Sequence, residues 1–247
     1  MKKILIALAL FTLVSTLAGC KSKSTTLTIL TSSGYEPYEM IDQNGTLIGF
    51  DIDLMHAIAD YLELDIEFKD VDFDGIIASL QMQQADAAIA GITPTKSRGL
   101  VVDFSDIYYN SETGLKNMLV HLETDTIDNL DGLTIGAQLG TIQAEILEEL
   151  SETLGFNVEL RTTNAALIQE LKTKRIDALL VEQLVASSIK EANDDLEYQA
   201  FASDTSTLFG NAIALPKNSE LLESFNEALI ALKENGTLEA LVAKWFD

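Results

Sequence analysis

Apolar residues recur in two alternating patterns along the chain. Short apolar runs are typical of buried strands, whereas apolar residues three or four positions apart are typical of helices packed on one face. The run Leu27–Thr31 predicts a strand, and Leu54, Ile58 and Leu62 form the apolar face of a predicted helix. Strands that alternate with helices favour an α/β fold with a parallel sheet.

A hairpin separates this first strand from the first helix. Asn44-Gly45 stands between two short apolar runs and is a strong two-residue turn signal. Asp51 follows the hairpin, and an aspartate in this position can accept a hydrogen bond from a free backbone amide of the helix start. We therefore predict that Asp51 caps a helix over 53–62.

The same alternation continues to the end of the chain. Further strands are predicted at 66–68, 85–92, 101–104, 116–121, 133–137, 158–161, 176–181 and 208–214. Further helices are predicted around 76–80, 140–150, 164–172, 185–189, 221–233 and 236–245. The halves share no sequence repeat, but strand–helix–strand units that end near Gly91, Gly140 and Glu182 indicate two halves of similar architecture.

A polar run follows the buried strand 85–92 and ends at Arg98. Gly91 and Thr93 lie at and just after the end of that strand, where ligands bind in open α/β sheets. A hydroxyl can donate and accept, and a guanidinium can hold a carboxylate with two parallel hydrogen bonds. These residues predict half of a site for a small anion or zwitterion. The alternative is that Arg98 is a solvated residue at a helix start.

Composition and charge narrow the function classes. The chain has 247 residues, 47% apolar content and a net charge of -23 at pH 7. The apolar content is sufficient for one large or two medium cores. The charge argues against nucleic acid as a partner and against peripheral binding to anionic lipid.

Other chemistry has little support in the sequence. The two histidines, His56 and His121, share no metal-ligand spacing. No Ser-His-Asp order with a nucleophile turn, phosphate-binding glycine loop or basic aromatic patch occurs. We expect no metal and no cofactor.

The N-terminus has the organisation of an export signal. Two lysines precede the apolar segment 4–14, which is too short for a stable membrane span. Leu17-Ala18-Gly19-Cys20 follows and contains the only cysteine of the chain. This sequence resembles a bacterial lipobox, in which the cysteine is diacylated and becomes the mature N-terminus. The alternative is an ordinary signal peptide with a chance cysteine.

The lipobox implies a division of the N-terminal region and a location. Residues 1–19 would be the signal peptide, and 20–26 a lipidated, flexible tether. The lipid on Cys20 would hold the protein on the extracytoplasmic face of the cell membrane.

Six motifs occur together in an order that resembles a known family. They are YEPYEM from Tyr35, GFDIDL from Gly49, FDGIIASL from Phe73, AGITPTKSR from Ala90, FSDIYY from Phe104 and NGTLEALVAKWF from Asn235. In this order they resemble the polar amino-acid-binding proteins of bacterial ABC importers, the extracellular solute-binding proteins of family 3. The resemblance covers essentially the whole chain after the tether.

The resemblance implies a fold of two α/β lobes. The fold would be the type II periplasmic-binding-protein-like fold, with mixed, mostly parallel sheets and two hinge crossovers. Lobe 1 would comprise 27–110 and 206–247, and lobe 2 would comprise 111–205. The hinges would fall near 110–113 and 203–206, and the ligand would be buried between the lobes.

The resemblance also implies how the ligand carboxylate is bound. Arg98 and the backbone amides of Thr141 and Ile142 would hold it. The residues agree with this role, since Gly140-Thr141-Ile142 opens a predicted helix whose free amides and dipole favour an anion.

The remaining ligand-binding positions follow in the same way. Gly91, Thr93 and Glu182 would hold the ligand ammonium, and Tyr35 and Phe73 would enclose the ligand side chain between two rings. Most members have aspartate where this chain has Glu182, and a surface helix cap is the alternative for that residue. Core packing is the alternative for both aromatic residues.

The identity of the amino acid is a separate question. Two aromatic faces suit a guanidinium or an amide, and a cation over such a ring gains roughly 0.5 to 2 kcal/mol. Several members that bind basic amino acids or glutamine have aspartate where this chain has Ser32, which weakens a simple cationic interpretation. Gln138 could hydrogen-bond a polar ligand side chain. We expect arginine or another basic amino acid, with glutamine next.

The resemblance therefore implies a monomeric substrate-binding lipoprotein and no enzyme. It would capture a free amino acid by hinge closure and present it to the permease subunits of an ABC importer. The alternative is a cyclohexadienyl-dehydratase-like enzyme on the same scaffold, with Glu182 as the candidate proton-transfer acid.

Overall fold

The computed structural model describes residues 26–110, 116–125, 127–201 and 210–246. The predicted signal peptide, Cys20 and all but the last residue of the tether lie outside the described residues. Most of the two predicted hinges, near 110–113 and 203–206, lies outside them as well. None of the described helices combines the length and the apolar character that a membrane crossing requires.

The described chain alternates between strands and helices. The strands are β1 (Leu27–Thr31), β2 (Met40–Ile41), β3 (Leu47–Ile48), β4 (Ile66–Asp70), β5 (Ala87–Ala88), β6 (Val102–Phe104), β7 (Asn117–Leu122), β8 (Thr134–Gln138), β9 (Asn157–Arg161), β10 (Ala178–Glu182), β11 (Leu196–Ala200) and β12 (Ala214–Pro216). The helices are α1 (Phe50–Tyr61), α2 (Ile76–Gln81), α3 (Lys96–Gly99), α4 (Ile142–Leu154), α5 (Asn164–Lys172), α6 (Gln183–Ala192), α7 (Leu221–Glu234) and α8 (Thr237–Phe246).

Ten of these strands form two five-stranded sheets, and β2 with β3 forms the predicted hairpin. The first sheet has the order β4-β1-β5-β12-β6, and the second has the order β11-β7-β10-β8-β9. Strand β12 pairs antiparallel with both its neighbours, as β7 does in the second sheet. The other four pairings within the two sheets are parallel. Four of five strands in each sheet therefore share one direction, and the α/β fold class with mixed sheets is confirmed.

Helix α1 is not capped as the sequence predicted. Its N-cap is Gly49, and Asp51 lies in the first turn with a fully buried side chain. Asp51 Oδ2 accepts hydrogen bonds from the Gly91 amide at 2.7 Å and from the Tyr108 hydroxyl at 2.9 Å. The prediction that Asp51 caps this helix was therefore wrong, because its carboxyl group binds the Gly91 turn instead of the helix end.

Three strands differ from the sequence prediction. The segment 85–92 is mostly buried, but only Ala87–Ala88 pairs within the sheet. Strand β12 covers only Ala214–Pro216, and residues 208 and 209 of the predicted strand lie outside the described residues. Strand β11 was not predicted.

The C-terminal helix packs on the first sheet's half of the molecule. The ring centroid of Phe246 lies 4.5 Å from that of Phe50 and 4.6 Å from that of Tyr109. Trp245 Nε1 donates a hydrogen bond to Asp53 Oδ2 at 2.7 Å. These contacts fix α8 against α1, next to the loop that supplies the first site residues.

Candidate functional site

A narrow cavity of about 20 Å³ lies where the two sheets face each other. This volume has room for roughly one water molecule, so the lining residues lie close together. Thirteen residues line it: Ser32, Tyr35, Glu39, Phe73, Ala90, Gly91, Thr93, Arg98, Gln138, Thr141, Ile142, Gln143 and Glu182. The structure thus brings all ten residues that the sequence nominated for ligand binding around one cavity.

The strand ends explain this convergence. Ser32 directly follows β1 and Gly91 follows the segment of β5, whereas Gln138 and Glu182 are the last residues of β8 and β10. The carboxyl ends of strands from both sheets therefore point into the same space, as the general rule for ligand sites in α/β folds requires.

Arg98 lies in the short helix α3 and is buried, with 8% of its surface exposed. Its Nη1 donates a hydrogen bond to the Thr93 carbonyl at 2.7 Å, and its Nη2 donates one to the Gly140 carbonyl at 2.8 Å. Its guanidinium carbon lies 5.7 Å from the centroid of the Phe73 ring. The alternative of a solvated helix-start residue is therefore wrong for Arg98.

Helix α4 begins at the cavity. Thr141 is its N-cap, and the Thr141 Oγ1 accepts a hydrogen bond from the Ala144 amide at 3.2 Å and donates one to the Gln138 carbonyl at 2.7 Å. The amide of Ile142, in the first turn, has no acceptor within the helix. Because the positive end of the helix dipole lies here as well, the start of α4 favours an anion.

Gly140 lets this helix start approach the first sheet's half closely. Its φ is +80°, and a Cβ atom added there would lie only 2.9 Å from the Cα of Asp74. Glycine meets both demands, since it tolerates positive φ and carries no side chain.

Two glutamines on the second sheet's side already have protein partners. Gln138 Nε2 donates to the Thr162 carbonyl at 2.9 Å, and its Oε1 accepts from Asn164 Nδ2 at 3.4 Å. Gln143 Nε2 donates to Asn117 Oδ1 at 3.2 Å. Gln138 therefore keeps one Nε2 proton for a further acceptor.

Two aromatic rings line the first sheet's side of the cavity. The Tyr35 ring packs over Gly91, where an added Cβ atom would lie 3.1 Å from Tyr35 Cε1. It also stacks on the Tyr38 ring, with centroids 5.7 Å apart. Phe73 begins a 3-10 turn, Phe73–Gly75, and is half-buried. Both rings line the cavity and also pack against neighbouring residues. Each ring can therefore contact a ligand and stabilise the fold.

Glu182 occupies the N-cap position of α6, but its side chain makes no capping hydrogen bond. It is buried, with 6% of its surface exposed, and it lines the cavity. The alternative of a surface helix cap is therefore wrong. The pKa of Glu182 is raised to about 8, chiefly by burial; the Tyr38 hydroxyl opposes this shift, and the nearby Asp51 adds to it.

Glu39 is the lining residue of most chemical interest that the sequence analysis missed. It is fully buried, and no described residue donates a hydrogen bond to either of its carboxyl oxygens. Its position at the end of the loop that also supplies Tyr35 was the one sequence feature that could have indicated a place in the site. Ala90 and Gln143 were missed as well. Among the lining residues, Arg98 carries the only positive charge, and Glu39 and Glu182 are the acids.

The sequence is similar to those of known proteins. The sequence matches the family model of bacterial extracellular solute-binding proteins, family 3, over residues 27–120 and 136–247. It is 38% identical to the arginine-binding extracellular protein ArtP of Bacillus subtilis, over 98% of this chain and 94% of that protein.

Solved structures show the same similarity. An ancestral arginine-binding protein bound to arginine superposes with a TM-score of 0.82 at 35% identity, over 90% of this chain and 98% of that chain. An ancestral arginine-binding protein bound to glutamine gives a TM-score of 0.81 at 35% identity, over 90% of this chain and 97% of that chain.

Proposed function

The chain belongs to the bacterial extracellular solute-binding proteins of family 3, and from this premise we propose that it captures a polar amino acid for an ABC importer. One observation carries the proposal: the buried Arg98, the start of α4 and the buried Glu182 all line one cavity. This arrangement provides a cation and free amides for a carboxylate and an acid for an ammonium group, which are the two charges of a free amino acid.

The carboxylate side of the site has spare hydrogen-bond donors. A guanidinium has five N–H groups, and Arg98 uses Nη1 and Nη2 on the carbonyls of Thr93 and Gly140. The remaining N–H groups, together with the Ile142 amide, can bind a carboxylate. A charge-assisted bond of this kind is roughly twice as strong as a neutral one.

The ammonium side combines Glu182 with the turn after β5. The Gly91 amide is already bound to Asp51, which fixes the turn and leaves the Gly91 carbonyl available. With the Thr93 hydroxyl and Glu182, this carbonyl would satisfy the three protons of an ammonium group.

Ligand binding and hinge closure are coupled in this proposal. Arg98, Thr93 and the two rings would hold the ligand on lobe 1 (27–110 and 206–247), and Thr141, Ile142 and Glu182 would reach it from lobe 2 (111–205). A ligand that contacts both lobes binds the closed form more tightly and so shifts the population toward it.

Arginine or another basic amino acid is the favoured ligand, with glutamine next. The arginine-binding relative and the two ancestral structures support this order. The comparisons favour a binding role over the dehydratase-like alternative, since the relatives above are named as binding proteins.

The wider setting follows from the same proposal. The protein would be a monomer on the extracytoplasmic face of the cell membrane, anchored through a lipid on Cys20. In its closed form it would deliver the amino acid to permease subunits. The extracellular ArtP supports the extracytoplasmic location.

Calorimetric titration with each of the common amino acids tests the function. We expect saturable binding of arginine or of glutamine, and no binding of acidic amino acids. A folded protein that binds none of them would overturn the proposal. A turnover assay with cyclic acids of the prephenate type separates the enzyme alternative, for which we expect no product.

A further inference from the structure

The carboxyl group of Asp51 joins three parts of the first sheet's half of the molecule. Asp51 is fully buried in the first turn of α1, and it is not among the residues that line the cavity. Its Oδ2 accepts hydrogen bonds from the Gly91 amide at 2.7 Å and from the Tyr108 hydroxyl at 2.9 Å. The start of α1, the turn after β5 and the segment after β6 therefore meet at a single oxygen atom.

The turn at Gly91 has a backbone conformation that glycine permits but does not enforce. The φ of Gly91 is +55°, and an added Cβ atom would lie 3.1 Å from Tyr35 Cε1. Glycine populates positive and negative φ about equally, so contacts with the rest of the protein must select this one conformation.

Two hydrogen bonds fix the peptide planes on either side of the Gly91 carbonyl. The bond from the Gly91 amide to Asp51 fixes the plane before Gly91. The Ala212 amide donates to the Ile92 carbonyl at 2.9 Å, which fixes the plane after Ile92. The Gly91 carbonyl belongs to the one peptide plane between these two, so its direction depends on both bonds.

The surroundings of Asp51 suit a strong acceptor. Burial raises the pKa of Asp51 to about 7, while the Gly91 amide and the Tyr108 hydroxyl oppose this shift by favouring the carboxylate. Hydrogen bonds to a carboxylate are roughly twice as strong as neutral ones. Tyr108 is itself held in place, since its amide donates to the Asn211 carbonyl at 2.9 Å.

Resting on the proposed function, we infer that Asp51 is a positioning residue for the ligand ammonium group, which it does not contact. It holds the turn so that the Gly91 carbonyl can accept from the ammonium, and Tyr108 holds the Asp51 carboxyl group in turn. Loss of Asp51 then weakens the ammonium part of the site and leaves the carboxylate part at Arg98 and α4 unchanged.

Two other roles for Asp51 lead to different expectations. An acid that only stabilises the fold would affect the binding of every ligand equally. An acid that acts through its negative charge would lose its effect whenever the charge is removed, even where a hydrogen-bond acceptor remains at the same position.

Ligands without the amino group separate these roles. 5-Guanidinopentanoate is arginine without its amino group, and 4-carbamoylbutanoate is glutamine without it. Calorimetry, with displacement titrations for weak ligands, gives the affinity ratio of each amino acid to its deaminated analogue. For Asp51→Ala we expect this ratio to fall about tenfold or more, because the amino acid loses affinity and the analogue does not.

Conservative variants test the hydrogen bonds themselves. Asp51→Asn keeps an oxygen acceptor without the charge, so it should recover most of the ratio that Asp51→Ala loses. Tyr108→Phe keeps the ring and removes one of the two donors to Asp51. It should lower the ratio in the same direction by a smaller factor.

The matched control is Asp53→Ala, in the same turn of α1. Asp53 Oδ2 accepts hydrogen bonds from Lys244 Nζ at 2.6 Å and from Trp245 Nε1 at 2.7 Å, both in the C-terminal helix. Its loss should lower the melting temperature and leave the affinity ratio unchanged, because these contacts do not involve the Gly91 turn.

The outcomes separate this inference from the function on which it rests. A wild-type protein that binds neither arginine nor glutamine refutes the proposed function. Binding by the wild type, beside an unchanged ratio in folded Asp51→Ala or equal losses in Asp51→Ala and Asp51→Asn, refutes only the positioning role.

Two further measurements keep the test decisive. If Asp51→Ala does not fold, Tyr108→Phe decides: an unchanged ratio overturns the inference and a reduced ratio supports it. If the analogues do not bind measurably, the amino-acid affinity replaces the ratio. Equal affinities in Asp51→Ala and Asp53→Ala would then overturn the inference, and a selective loss in Asp51→Ala that Asp51→Asn restores would support it.

Discussion

Arg98 and Gly140 are joined across the cavity, with Arg98 Nη2 donating a 2.8 Å hydrogen bond to the Gly140 carbonyl. Arg98 belongs to the segment that follows the first sheet's β5, and Gly140 stands just before α4 on the second sheet's side. One guanidinium thus contacts both sides of the proposed cleft. A ligand carboxylate bound to Arg98 would therefore lie next to a hydrogen bond that joins the two sides of the cleft.

Replacing Arg98 should abolish binding without unfolding the protein. Arg98→Ala removes the only positive charge among the lining residues, and losing one partner of a buried charge pair weakens binding by about 30-fold or more. Arg98→Lys keeps the charge but cannot form two parallel hydrogen bonds, so it should bind with intermediate affinity. Calorimetry measures both, with circular dichroism as the folding control. Wild-type affinity in folded Arg98→Ala would show that the carboxylate binds elsewhere.

Gly140→Ala should hold the cleft open. The new Cβ would lie 2.9 Å from the Asp74 Cα, and the φ of +80° adds backbone strain of about 1–3 kcal/mol. Small-angle scattering with saturating arginine should show less compaction than for the wild type, and calorimetry should show weaker binding.

Gly132→Ala is the matched control for that experiment. Gly132 has a similar φ of +79°, but nothing lies within 4 Å of an added Cβ. It should lose stability by a similar amount and keep its ligand affinity. If both variants lose affinity equally, backbone strain and not the contact with Asp74 is responsible.

The sequence predicted the lining residues better than it predicted what their neighbours do. Position after a strand end was enough to nominate Gly91 and Arg98, because strand ends converge in this fold, and Glu182 was nominated from the family resemblance. Glu39 was not nominated, since its position in the Tyr35 loop does not by itself tell a buried acid from an exposed one. The capping prediction for Asp51 was wrong for the same reason. An aspartate near a helix start commonly accepts a hydrogen bond from a backbone amide, and Asp51 does so. The amide that it binds, however, is that of Gly91, forty positions away, and not one at the helix start.

The missed strand has a different cause. The β11 sequence, Leu196–Ala200, alternates apolar and polar residues, and the strand lies at the edge of its sheet. This alternation is typical of a half-buried strand, so the sequence did contain the signal, although it is only five residues long. The first sheet contains a counterpart of β11, since β6 occupies the corresponding edge, next to the antiparallel strand β12.

Replacing Cys20 tests the proposed anchor. Cys20→Ser keeps the size of the side chain but removes the thiol that the lipid would modify, so the protein should move from the membrane fraction to the soluble extracytoplasmic fraction. Ser22→Ala, two positions further on, should leave the distribution unchanged. Fractionation followed by immunoblotting measures both. Membrane retention of Cys20→Ser would argue against anchoring through this residue.

The buried acids predict how stability depends on pH. Burial raises the pKa of Glu182 to about 8 and that of Asp51 to about 7. A carboxyl whose pKa is higher in the folded than in the unfolded state stabilises the fold fully below its unfolded pKa, and this contribution is lost as the pH rises through the folded pKa. The ligand-free protein should therefore lose stability between pH 6 and pH 9, with a melting temperature lower by several degrees.

Glu182→Gln identifies the group responsible. The glutamine cannot ionise, so the slope of melting temperature against pH should become shallower between pH 6 and pH 9, with the variant gaining on the wild type as the pH rises. Arginine should stabilise the wild type more at pH 8.5 than at pH 6, because its positive charges neutralise carboxylates that are protonated at the lower pH. Thermal denaturation with and without arginine measures both effects. A wild-type melting temperature that stays constant from pH 6 to pH 9 would mean that Glu182 and Asp51 are already ionised at pH 6 in the folded protein.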